Sequence, residues 1–106
     1  MTTSAVTSKD EIIERLQGHA GSLRALGLSR VGLFGSFARE EQAPNSDVDI
    51  LLEFRPNEKS FDHFMDAIFQ LEEILARPID AVTVEGLHPR IAPYILKEAE
   101  YVALDL

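Results

Sequence analysis

The 106-residue chain contains no cysteine and no tryptophan. Without thiols it can form neither a disulfide framework nor a thiolate zinc site. Long apolar runs are also missing: nothing approaches the roughly 18 consecutive apolar residues that a membrane helix needs, so no membrane association is expected. The first residues, Met1 to Thr7, are small and polar, with neither a basic patch nor an apolar stretch. A secretory signal is therefore not expected, and the cytoplasm is the expected compartment. Positive charge is scarce. Against 18 acids there are 10 bases, a net charge of −8. Nucleic-acid backbones are bound through a positive footprint, so direct binding of long DNA or RNA is not expected. An acidic chain suits a basic protein partner, or its charge serves solubility alone.

What is present fits one compact domain, residues 1–106, with a modest core and a loose start over residues 1–8. Ser8 with Glu11 three residues on reads as a capping box. Ile12, Ile13, Leu16, Ala20, Leu23 and Leu26 then recur at helical spacing, and Gly27 sits where a helix usually ends. Residues 30–34, 47–54 and 79–84 read as strands, and 101–104 as a short fourth. A helix is expected over 61–76, with Phe61, Phe64, Met65, Ile68, Leu71 and Leu75 as its apolar stripe. Arg77-Pro78 ends it. Pro89 suits the first turn of a last helix reaching about residue 100, although Pro93 requires that helix to begin later or to bend. This alternation predicts an α/β (α+β) fold, a small mixed sheet of three to four strands with helices packed against it.

Two motifs carry chemistry. In Ser46-Asp47-Val48-Asp49, running into Ile50-Leu51-Leu52, the strand period places Asp47 and Asp49 on one face, roughly 6.5 Å apart. Carboxylates that close repel unless they share cations. The alternative is a strand start decorated with solvated acids. In Phe34-Gly35-Ser36-Phe37-Ala38-Arg39, a strand ends in a turn whose glycine allows close approach of a ligand. Its amides, the Ser36 hydroxyl and the Arg39 guanidinium could bind phosphate. The alternative is an ordinary strand-to-helix turn. No Walker P-loop is present. Ten residues separate Ser36 from Asp47, so a phosphate cradle would face a cation-binding pair on the next strand. Magnesium binds carboxylates and phosphate oxygens together, and each half of the pattern explains the other. Asp80, in an otherwise apolar strand, could complete the cluster or face water at a strand start.

Together, Gly35-Ser36, the ten-residue gap, Asp47-x-Asp49 and Asp80 resemble the nucleotidyltransferase fold of the DNA polymerase β superfamily. The runs from Gly35 to Arg39 and from Ser46 to Asp49, in so short a chain, resemble its minimal nucleotidyltransferase branch. The likeness spans about residues 12–102. Glu40 departs from it, standing where a glycine often follows the arginine. The resemblance implies that Asp47, Asp49 and Asp80 are catalytic and hold two magnesium ions, and that Gly35 and Ser36 bind the β- and γ-phosphates of ATP. Arg39 would pair with phosphate or brace the turn. It further implies an antitoxin that transfers AMP from ATP to a tyrosine hydroxyl of a helical HEPN-family toxin, in a possible hetero-oligomer. The competing reading is a binding-only antitoxin that blocks its partner by contact.

Other polar residues receive ordinary readings. His19, His63 and His88 lack ligand spacing. Asp62, Asp66, Glu72 and Glu73 lie off the apolar stripe as a solvated face. Tyr94 and Tyr101 read as core or interface residues.

Overall fold

The computed structural model describes residues 4–104. Helix α1 (Lys9–Gly18) opens at Ser8, whose Oγ accepts from the Glu11 amide at 3.2 Å. Glu11 reaches back one residue beyond the expected box, and its Oε1 accepts from the Thr7 amide at 2.8 Å. The helix does not continue to Leu26. It breaks at His19 (φ −115°), and α2 (Ala20–Arg24) resumes beyond it. Gly18 and Gly21 flank the break, and glycine in a helix interior costs about 1 kcal/mol relative to alanine.

Strand β1 (Leu28–Phe34) leads directly into the short helix α3 (Gly35–Ala38). A loop carries the chain to β2 (Val48–Phe54). Helix α4 (Phe61–Leu75) then crosses to β3 (Ile79–Thr83), and a 3₁₀ turn (Val84–Gly86) follows. Helix α5 (Ala92–Glu98) leads into β4 (Glu100–Ala103). The sheet order is β3-β2-β1-β4. Strand β1 is antiparallel to both neighbours, while β2 and β3 are parallel, as their helical crossover requires. The expected small mixed sheet therefore has four strands.

Alternation along the strands sorts the residues. Val31, Leu33, Val48, Ile50, Leu52 and Val102 enter the core with Ile12, Leu16 and Leu23 from the first helices and Leu71 and Leu75 from α4. The opposite face carries Gly32, Asp49, Leu51, Asp80 and Tyr101, by register with one another. Phe37 of α3 is fully buried in the core. It anchors the turn that follows β1.

Two expectations change, and one left open between two outcomes is decided. In α4 the buried residues are Ala67, Leu71, Ile74 and Leu75, while Phe61 is 76% exposed. Apolar residues cover more than one flank of this helix, and the structure buries the flank extended by Ala67 and Ile74. Helix α5 begins at Ala92, so Pro93 falls in its first turn, where a missing amide costs little. Val6, in the stretch expected to be loose, is fully buried and its amide donates to the Leu75 carbonyl at 3.1 Å. Residues 1–3 of that stretch lie outside the described residues. Among the described residues no helix is long and apolar enough to cross a membrane.

Candidate active site

Asp49 is the second residue of β2 and Asp80 the second of β3. The parallel register pairs them directly, so both side chains leave the same sheet face from strands roughly 4.8 Å apart. On the other side of β2, Asp49 pairs with Phe34, the last residue of β1. The next residue, Gly35, turns at φ +75°, and a Cβ built on it would lie 1.9 Å from Asp49 Oδ2. Glycine is thus required here twice, for its backbone angle and for the carboxylate pressed against it. From sequence its close approach was expected toward a ligand; in the structure the nearest group is Asp49.

Asp47 precedes β2 by one residue and is exposed. The loop that delivers it is fastened by Arg77, which donates to the carbonyls of Pro44 (2.8 Å), Ser46 (3.4 Å) and Val6. Ser46 Oγ accepts from the Ala43 amide at 2.8 Å, closing the same loop. In the sequence Arg77 marked only the end of a helix.

Burial raises the pKa of half-buried Asp49 above the ordinary carboxylate value of 3.8, and the charges of Asp80 and Asp47 raise it further. Arg39 opposes this shift and Glu98 adds to it. A half-buried carboxylate crowded by like charges suits a hard cation. The donors are all oxygen, and magnesium needs only one or two carboxylates beside phosphate oxygens and water. Among the described residues, however, no three carboxylates or imidazoles stand close enough to form a metal cage. Asp49 and Asp80 stand as a register pair, and Asp47, at the loop end two residues before Asp49, is near enough for its charge to act on Asp49.

The predicted phosphate donors lie beside the acids. The Gly35 amide donates to Glu98 Oε2 at 3.3 Å, and Arg39 Nη1 donates to Glu98 Oε1 at 2.6 Å. Arg39 Nε also lies 3.5 Å from Glu41. Ser36 follows Gly35 in the same short helix. Glu98 was not anticipated. It stands 63 residues from Gly35 in sequence, and nothing local to it marks it out. The backbone at Glu40, the departure from the family pattern, adopts φ +58°, the left-handed region that a glycine would favour. The histidines serve local backbone groups: His19 bonds the Arg15 carbonyl, His63 the Glu58 carbonyl, and His88 accepts from the Arg90 amide.

Residues 12–102 match the nucleotidyltransferase domain family. The chain belongs to that family. It is a nucleotidyltransferase of minimal size. A relative from Methanocaldococcus jannaschii, named as a protein adenylyltransferase, is 40% identical over 73 residues, spanning 69% of this chain and 77% of its own. The protein adenylyltransferase MntA of Thermococcus cleftensis is 35% identical over 99 residues, spanning 92% of this chain and 99% of its own. A solved structure described as a minimal nucleotidyltransferase has a TM-score of 0.78 at 28% identity, over 92% of this nucleotidyltransferase and 98% of that one. A toxin–antitoxin structure with AMP-PNP shares the fold, with a TM-score of 0.64 at 19% identity, over 91% of this chain and 73% of that one.

Proposed function

We propose that this nucleotidyltransferase transfers AMP from ATP to a tyrosine hydroxyl on a helical HEPN-family toxin, and so acts as its antitoxin. The observation that carries the reading is the Asp49–Asp80 register pair beside the Gly35 turn. Relatives named as protein adenylyltransferases support the reaction class, and the toxin–antitoxin complex of the same fold supports the kind of partner. The net charge of −8 suits a basic partner.

In this reading Gly35, Ser36 and Arg39 bind the β- and γ-phosphates, which leaves the α-phosphorus near Asp49 and Asp80. The partner's hydroxyl oxygen attacks that phosphorus and pyrophosphate departs. Asp80, at the open edge strand of the sheet, receives the hydroxyl proton. Asp47, Asp49 and Asp80 would hold magnesium, whose charge, when bound, offsets that of the triphosphate and of the departing pyrophosphate. The protein contributes mainly by positioning and by charge neutralisation.

The test is incubation with labelled ATP, magnesium and a helical HEPN-family toxin, in parallel with Asp49→Asn. Label on the partner that disappears in the variant is the expected result. Neutralisation of the partner that persists in the variant without label would replace this reading with binding alone.

A further inference from the structure

The donors assigned to nucleotide phosphate already have an anionic occupant from the chain itself. Glu98 Oε2 accepts from the Gly35 amide at 3.3 Å and Glu98 Oε1 from Arg39 Nη1 at 2.6 Å. A carboxylate presents to such donors the same pair of anionic oxygens as one edge of a phosphate. Both cannot use the same amide and the same guanidinium nitrogen at full strength.

The fold sets this contact. The antiparallel register pairs Leu33 of β1 with Glu100 of β4. Only Ala99 separates Glu98, the last residue of α5, from β4, so the paired strand holds Glu98 close to the end of β1. Yet the element that bears it is lightly held. Glu98 ends α5, which packs against α3 and contains no buried residue. Tyr94 and Leu96 along it are 76% and 38% exposed. No core side chain is carried by α5.

We propose that Glu98 sets nucleotide affinity by standing in for phosphate: its carboxylate occupies the Gly35 and Arg39 donors in the free protein, and an incoming triphosphate displaces it. This inference rests on the phosphate-binding role assigned above to Gly35 and Arg39. Displacement makes binding an exchange of one anion for another. A ligand whose other phosphates find further partners completes that exchange with profit; one bearing a single phosphate gains little.

The test is calorimetric titration of magnesium–ATP and of inorganic tripolyphosphate into the wild type, Glu98→Gln, Glu98→Ala and Asp49→Asn. Both Glu98 variants are expected to bind both probes about three- to tenfold more tightly, the range of a partly exposed ion pair. Unchanged or weaker binding in a variant that melts like the wild type overturns the proposal and makes Glu98 a brace for Arg39. A second measurement needs no variant: tripolyphosphate added to the wild type should move the carbon-13 resonance of the Glu98 carboxyl together with the Gly35 amide. A Gly35 amide that moves while the Glu98 carboxyl stays fixed also overturns it. Failure of the underlying reading looks different. The wild type and both Glu98 variants would then bind neither probe, and the displacement idea would fall with it. Weaker magnesium–ATP binding in Asp49→Asn alone would leave that reading intact whatever Glu98 does.

Discussion

Gly35 and Asp49 meet so closely that a methyl group on the glycine would lie 1.9 Å from Asp49 Oδ2. The Gly35→Ala variant must therefore push the carboxylate aside while also bearing a side chain at φ +75°. We expect a loss of about 1–3 kcal/mol in urea unfolding. Transfer activity should fall by at least about 100-fold, because the displaced group is one of the paired acids. An alanine variant with wild-type turnover would mean that the turn and Asp49 need not stay in contact.

Asp49 pays for its position in stability. Its native pKa lies above its unfolded value, because burial and the Asp80 and Asp47 charges disfavour the ionised form. Below the unfolded value near 3.8 both states are protonated and no cost arises; above the native value the cost is complete. Asp49→Asn should thus be more stable than the wild type at pH 7 in chelator, with the difference vanishing as the pH falls below about 4. Its transfer activity should fall by at least about 100-fold. Melting curves across pH decide the matter: a variant less stable than the wild type at pH 7 contradicts the like-charge account.

Much of this arrangement is legible in the chain. The strands could be read because period-2 alternation survives wherever one face is buried, as in Val48, Ile50 and Leu52 against Asp49. Asp49 and the glycine turn could be read because Asp47-x-Asp49 and Gly35-Ser36 are local motifs, and their spacing ties them together. What escaped has a different physics. Glu98 reaches Gly35 because β4 pairs with β1 and so sets the end of α5 beside the turn, which no local pattern encodes. Arg77 acts through carbonyls of two distant segments, and backbone acceptors leave no mark on side-chain sequence. The break at His19 and the exposure of Phe61 were decided by packing, since helical spacing alone allowed the alternatives. The pairing of Asp49 with Asp80 depends on β3 lying parallel beside β2, which no spacing along the chain fixes.

Arg77 offers a way to loosen that loop without touching an acid. Its guanidinium bridges the carbonyls of Val6, Pro44 and Ser46 and lies 5.3 Å from the centre of the Phe37 ring. Arg77→Ala should lose about 1–3 kcal/mol in unfolding. At temperatures where the variant remains folded, kcat/KM should still fall about tenfold, since Asp47 is then less well placed. Arg77→Lys keeps the charge but not the fork and should recover little of either. Full activity in a folded Arg77→Ala protein would show that Asp47 does not depend on this clasp.

The departure from the family pattern at Glu40 makes the last prediction, and it turns on backbone alone. Glu40 adopts φ +58° immediately after the Arg39 that closes α3. A side chain in that region costs about 1 kcal/mol that glycine does not incur, although glycine gives up more freedom on folding. Charge must be separated from conformation, because Glu40 also contributes to the field that raises the Lys9 pKa. Glu40→Ala removes the charge and keeps the Cβ; Glu40→Gly removes both. In ordinary extended or helical backbone the alanine variant would be the more stable of the two. Here the order should reverse, with Glu40→Gly ahead by up to about 1 kcal/mol in urea unfolding. Equal stability, or alanine ahead, would mean that the chain rearranges at this turn and that the left-handed residue is not a fixed feature of the loop leading to the acids.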